Sequence, residues 1–226
     1  MIGAVIAMQC EADILLREMK QERVQTLYDK KIVTGTAFGK EIVLVVCGVG
    51  KVNAAAGAAL LVDRFSADVL INFGVVGAMG ERTEVCGVYQ VEKAVQYDFD
   101  LAGLNGTKIG TLDECTENYL PLSTLDVPLK KRRLATGDRF NDDENDRKLL
   151  QEYMQADLRD MEGAAIAQVA LHAHVPLYEW KAVSDKAGNV SSFEQYNANK
   201  LRALENLAAH FAELFDKLPD PTRSHR

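Results

Sequence analysis

The sequence holds no apolar run approaching the roughly 20 residues that crossing a bilayer requires, so no membrane span is expected. Excess positive charge is missing too. With 26 Lys and Arg against 33 Asp and Glu, the 226-residue chain carries a formal charge of −7 and a pI near 5.2. That balance argues against a nucleic-acid backbone or an anionic membrane surface as the main partner, since both reward a basic face; a small-molecule ligand fits better. Cysteine is sparse and spread out. Cys10, Cys47, Cys86 and Cys115 never form Cys-x-x-Cys, so neither a zinc site nor a disulfide framework is indicated, and a reducing cytoplasm is the expected location. His172 and His174 stand two residues apart, which does not put them on one helix face, and they are read as surface residues rather than metal ligands. The absence of His-Glu-x-x-His and of Gly-x-Ser-x-Gly removes support for a zinc protease or an α/β serine hydrolase. Residues 1–8 are apolar but lack a basic leading segment, and Gln9, Glu11 and Asp13 interrupt them too early for a signal peptide. They are read as a buried first strand. Internal repeats and low-complexity linkers are also absent.

What is present is an alternation. Short continuous apolar runs at residues 2–7, 32–38, 41–47, 69–73, 87–95, 133–136 and 177–183 predict strands covered on both faces. Helical patterns lie between or after them at 10–19, 50–65, 142–153, 163–172 and 192–218. This alternation predicts the α/β class: a single domain with a central mixed, largely parallel sheet flanked by helices. Residues 1–218 form one domain in this reading, because α/β folds of this length often run undivided. The tail, 219–226, has nothing to bury and is expected to be mobile. Gly39-Lys40 between two apolar runs reads as a tight hairpin, and 98–128 reads as a long surface excursion of the kind that often shapes a binding site.

Two glycine-rich stretches follow predicted strands. Cys47-Gly48-Val49-Gly50-Lys51-Val52-Asn53 opens a helix, where backbone amides can approach an anion. A Walker-type loop would need its first glycine at Val45 and a hydroxyl residue at Val52, and a dinucleotide fingerprint would need glycine at Asn53. An ordinary strand-to-helix turn and an anion cradle both stay open. Asn72-Phe73-Gly74-Val75-Val76-Gly77-Ala78 reads as a second turn, at the strand end where such turns line a ligand crevice; plain tight-turn chemistry is the alternative.

Three carboxylates stand where solvated surface is not the expected environment. Glu11 ends the first strand region, Glu162 opens a helix rich in small apolar residues, and Asp185 ends the last apolar strand. Each has a structural alternative, a cap or an N-terminal helix charge. The helix dipole predicts that Glu162 stays ionised. Strand ends on one side of a parallel sheet can bring all three to one pocket.

In the order they occur, Ala7-Met8-Gln9-Cys10-Glu11, Gly48-Val49-Gly50-Lys51-Val52-Asn53-Ala54-Ala55, Ile71-Asn72-Phe73-Gly74, Thr136-Gly137-Asp138-Arg139-Phe140, Met161-Glu162-Gly163-Ala164-Ala165-Ile166-Ala167 and Val183-Ser184-Asp185 resemble the nucleoside phosphorylase superfamily. The resemblance is strongest to the 5'-methylthioadenosine/S-adenosylhomocysteine nucleosidases and covers nearly the whole chain. It implies hydrolysis of the N-glycosidic bond of an adenine nucleoside, with Glu11 as the base that activates water, Glu162 and Met161 on the ribose, and Asp185 on the purine. It further implies that Phe140 stacks on adenine, that Asn141 offers backbone groups to the base, that Phe193 covers the sugar, and that Ser184, Gly74 and Val75 lie against the substrate. No metal or organic cofactor is called for, and a homodimer is implied. Two departures fall on the expected water site. Phe73, Val75, Val76 and Ala78 replace the usual Thr, Ser, Ala and Gly, so the serine is missing; and Lys181 stands where an arginine is usual. The segment 98–121 also differs from the family's, which leaves the 5' preference open.

Two other functions remain on the table. A purine nucleoside phosphorylase would need arginines on its phosphate, and residues 73–78 supply none. A nucleoside-binding protein without turnover is compatible with Val75 and Lys181.

Overall fold

The apolar start of the chain becomes the middle of the sheet. A computed structural model describes residues 1–140, 143–186 and 191–220. In chain order its elements are β1 (Ile2–Ile6), α1 (Gln9–Leu16), β2 (Lys20–Leu27), β3 (Lys30–Ala37), β4 (Lys40–Val46), α2 (Lys51–Phe65), β5 (Val69–Ala78), β6 (Val88–Gln96) and α3 (Ala102–Asn105). There follow β7 (Leu120–Pro121), β8 (Lys131–Thr136), α4 (Glu144–Lys148) running on into a π-helical turn (Leu149–Tyr153), β9 (Leu158–Asp160), α5 (Gly163–Ala173), β10 (Leu177–Lys186), α6 (Ser192–Ala208) and α7 (Phe211–Lys217).

Strand β1 pairs in parallel with β4 on one side and β5 on the other. Antiparallel β3 and β2 extend the β4 side to an edge. On the opposite side β5 runs parallel to β10, β10 antiparallel to β6, β6 parallel to β8, and β8 parallel to β9. The short β9 then returns antiparallel to the end of β5. These five strands close on themselves, with β7 appended to β6. The sheet is thus mixed and flanked by helices. Its closure matters for function, because the register sets Gly77 of β5 beside both Asp185 of β10 and Arg159 of β9, residues far apart along the chain.

Helices cover the two faces with different side chains. On one face α1, α6 and α7 bury Leu15, Leu207, Phe211 and Phe215 against Phe73 and Trp180, and each side chain of this size contributes about 1.5–3 kcal/mol when buried. On the other, α2 and α5 use small residues, Ala54 and Ala58 against Ala164 and Ala167, which lets the two helices lie close together. Along β10 the alternation is visible: Tyr178, Trp180 and Ala182 join the first face, Leu177 and Val183 the second. Glu179 and Lys181 therefore also leave β10 toward the α5 side.

Several expectations are revised. The strand predicted over 69–73 runs on to Ala78, so the supposed glycine turn at 72–78 is extended chain. Its glycines are there because other side chains press in: a Cβ on Gly74 would be 2.4 Å from Glu11 Oε1, and one on Gly77 would be 3.0 Å from Asp185 Oδ2. Strand β2 escapes an apolar-run criterion because it is an edge strand with Lys20, Glu22 and Arg23 exposed, as edges commonly are. The helix predicted over 192–218 breaks at Ala209 and His210. The hairpin at Gly39 does form, with φ of 51° at Phe38 and 74° at Gly39, the sign pattern of a type I′ turn. Of the tail, 221–226 lies outside the described residues, while Asp220 accepts a 2.8 Å ion pair from Lys40. Among the described residues no helix is long and apolar enough to cross a membrane.

Candidate active site

A cavity of about 310 Å³ opens where β5, β9 and β10 meet the heads of α1 and α5, and Glu11, Glu162 and Asp185 all line it. Glu11 belongs to the first turn of α1 rather than to a strand end. It is 4 % exposed. Its Oε1 accepts the Val75 N–H at 2.9 Å and its Oε2 the Met8 N–H at 3.2 Å, so the carboxylate is fixed both by β5 and by its own helix cap. Burial pushes this carboxyl up to about 7, with the two amides and Lys181 opposing.

Glu162 is the N-cap residue of α5, and its Oε1 accepts the Gly50 N–H at 2.8 Å. The glycine-rich turn at 47–53 therefore spends that amide on an internal carboxylate. Burial first, and the Asp160 carboxylate second, push Glu162 up to about 7 against the pull of the Gly50 amide and Lys181. Loss of water thus opposes the helix dipole at Glu162. Asp185, 2 % exposed, accepts the Ser184 hydroxyl at 2.8 Å.

In the cavity floor, Asp160 is a hub. Its Oδ1 accepts Thr136 Oγ1 at 2.6 Å and the Glu162 N–H at 3.3 Å, and its Oδ2 accepts the Gly163 N–H at 3.0 Å and Lys181 Nζ at 2.8 Å. Thr136 Oγ1 in turn accepts the Ala164 N–H at 2.9 Å. The head of α5, and with it Glu162, is held by this hub. Lys181 also donates to Asn72 Oδ1. Its side chain is 3 % exposed, and Asp160 and Asn72 hold its ammonium beneath the floor.

Met161, Phe140, Ser184, Phe193 and Val75 line the cavity as well, Gly74 lies under Glu11, and Asn141 lies outside the described residues. The mouth is aromatic: the Phe140 and Tyr196 rings meet edge to face at 5.9 Å, and Lys200 Nζ sits 4.9 Å from the Tyr196 ring. Tyr196, Asp160, Arg159 and Arg139 are lining residues that the sequence reading missed. Tyr196 follows Phe193 by three on α6, a spacing that shares a helix face and was there to be used. Among the described residues no group of three or more His, Cys, Asp or Glu is arranged to hold a metal.

The chain is similar to known proteins along nearly its whole length. A family model described as the phosphorylase superfamily matches residues 1–216. An aminodeoxyfutalosine nucleosidase from Campylobacter jejuni is 32% identical over 68% of this chain and 72% of its own length. A 5'-methylthioadenosine/S-adenosylhomocysteine nucleosidase from a Geobacillus species is 31% identical over 93% of this chain and 94% of its own. The structure of the nucleosidase of the same name from Colwellia psychrerythraea, in complex with adenine, superposes with a TM-score of 0.88 at 25% identity, covering 96% of this chain and 95% of that one.

Proposed function

The chain belongs to the phosphorylase superfamily, and we propose that this N-glycosidic bond hydrolase acts on adenine nucleosides such as 5'-methylthioadenosine and S-adenosylhomocysteine, releasing adenine. The observation that carries the reading is that Glu11, Glu162 and Asp185 line one cavity whose mouth is aromatic. Breaking the bond between C1' and N9 builds oxocarbenium-like positive charge on the sugar and negative charge on the base. Glu162, beside the ribose hydroxyls, answers the first. Asp185 delivers a proton to N7 and answers the second, help worth about 10²- to 10⁴-fold. Glu11 takes a proton from the water whose oxygen adds to C1', so that nucleoside and water become base and free sugar. A base near 7 suits this task, since proton transfer is most efficient when the catalytic pKa lies near the working pH. Phe140 stacks on the adenine and Phe193 covers the sugar. A cytoplasmic homodimer is part of the same proposal.

The Campylobacter jejuni relative, named as an aminodeoxyfutalosine nucleosidase, favours a second reading of the substrate, aminodeoxyfutalosine, at the same reaction centre. A phosphorolytic reading would enlist Arg139 and Arg159 in the cavity, but Arg139 is paired with Asp146 at 3.1 Å, and Arg159 Nε and Asp185 Oδ2 both crowd Gly77. Adenine release is to be measured from methylthioadenosine, S-adenosylhomocysteine and aminodeoxyfutalosine, each with and without phosphate. Release from at least one of the first two without phosphate is expected. Release only from the third would move the substrate assignment, and release only with phosphate would overturn hydrolysis.

A further inference from the structure

Beneath the cavity, on the side of β10 that faces α5, lies a carboxyl group that the catalytic scheme leaves unused. Glu179 is 1 % exposed, and neither of its oxygens has a hydrogen-bond partner among the described residues. It stands against the first residue of α5, where a Cβ on Gly163 would be 2.7 Å from Glu179 Oε2 and 3.0 Å from Asp160 Oδ2. A bare carboxylate in such a place is far more costly than a neutral acid. The groups that face it are Lys181 from its own strand, Asp160 from β9 and Glu162 from the head of α5. Strand β5 presents Asn72, its register partner, and Leu134 of β8 shares the Gly163 contact. The two carboxyl neighbours disfavour a further negative charge. Lys181 favours it, but its ammonium is already engaged by Asp160 and Asn72. Burial foremost pushes the Glu179 carboxyl up to about 8.

We propose that Glu179 is a positioning residue: as a neutral acid it leaves Lys181 on Asp160, which keeps the head of α5 and Glu162 in place, and once ionised it draws Lys181 away and loosens that head. The expected effect on turnover rests on the nucleosidase reading, whereas the effect on α5 does not. Glu179→Gln keeps the shape and cannot ionise. The amide-exchange protection factors of Gly163 and Ala164 are to be measured in wild type and variant, one pH unit below and one above the midpoint of about 8, together with kcat over the same interval. Below the midpoint both proteins should protect these amides equally. Above it, wild-type protection should fall several-fold and its kcat should decline, while the variant holds both. Glu179→Leu should behave as the Gln variant does, which controls for any disturbance from the added amide. Parallel protection in wild type and both variants across the interval would overturn the proposal. So would a fall in wild-type protection with coincident kcat profiles, because Glu179 would then titrate without positioning anything. A wild type that turns over no nucleoside would count against the nucleosidase reading, and the exchange comparison would still decide the role of Glu179.

Discussion

At the floor of the cavity Glu11 and Asp185 are 4 % and 2 % exposed, whereas at its mouth Phe140 and Phe193 are 51 % and 61 % exposed. The floor is tied in from several elements: Glu11 to Val75 and Met8, Glu162 to Gly50, Asp160 to Thr136 and Lys181. Its groups are already dry and oriented, so they can act on developing charge without first reorganising, which is where electrostatic catalysis draws its strength. The mouth has apolar surface still to bury, which a bound nucleoside would cover. Changes to the floor should therefore fall on kcat, and changes to the mouth on KM and on the choice of 5' group.

The largest expected effects test the floor. Glu11→Gln and Glu162→Gln should each lower kcat by about 10²- to 10⁴-fold with the fold intact by circular dichroism; a loss confined to KM would erase the division. Gly74→Ala should come next. Its Cβ would lie 2.4 Å from Glu11 Oε1, so overpacking of about 1–3 kcal/mol should show in denaturant unfolding together with a lowered kcat. Asp185→Asn should lower turnover more for adenine nucleosides than for those with better leaving bases; equal losses would remove its role as proton donor.

The pH dependence sharpens the same contrast. Glu11 must be ionised to take a proton from water, so kcat/KM should rise as pH passes about 7, and mouth variants should leave that limb where it is. Stability moves oppositely. The Glu11 carboxyl is raised in the fold from 4.5 to about 7, so the fold holds its proton more tightly than the open chain does. That contribution is full below 4.5 and is lost as pH rises through about 7. Wild type should thus lose Tm relative to Glu11→Gln across that window. The smallest effect belongs to the mouth: Phe140→Ala should cost about 0.5–1.5 kcal/mol of stacking on the adenine, raising KM up to about ten-fold and leaving kcat nearly unchanged.

The same division runs through what could be read from residue order. Glu11, Glu162 and Asp185 were legible because a carboxylate at the edge of an apolar element is out of place, and the strands that bring them together were legible as continuous apolar runs. The support beneath them was not. Glu179 and Lys181 lie inside the run read as an apolar strand over 177–183, and the partners that hold Lys181 there, Asp160 and Asn72, come from β9 and β5. Strand β9 itself is three residues long, too short to leave a period. Gly74 and Gly77 looked like turn residues because their real cause, a carboxylate arriving from another element, is a tertiary fact.

The position of a bound ribosyl purine tests the central claim most directly. In a crystal structure with a non-hydrolysable adenine nucleoside, Glu162 is predicted to meet the ribose hydroxyls, Asp185 the N7 edge of the base, and Glu11 the face of C1' opposite the base. A nucleoside bound elsewhere, or bound in this cavity with those three carboxyl groups turned away from it, would contradict the account.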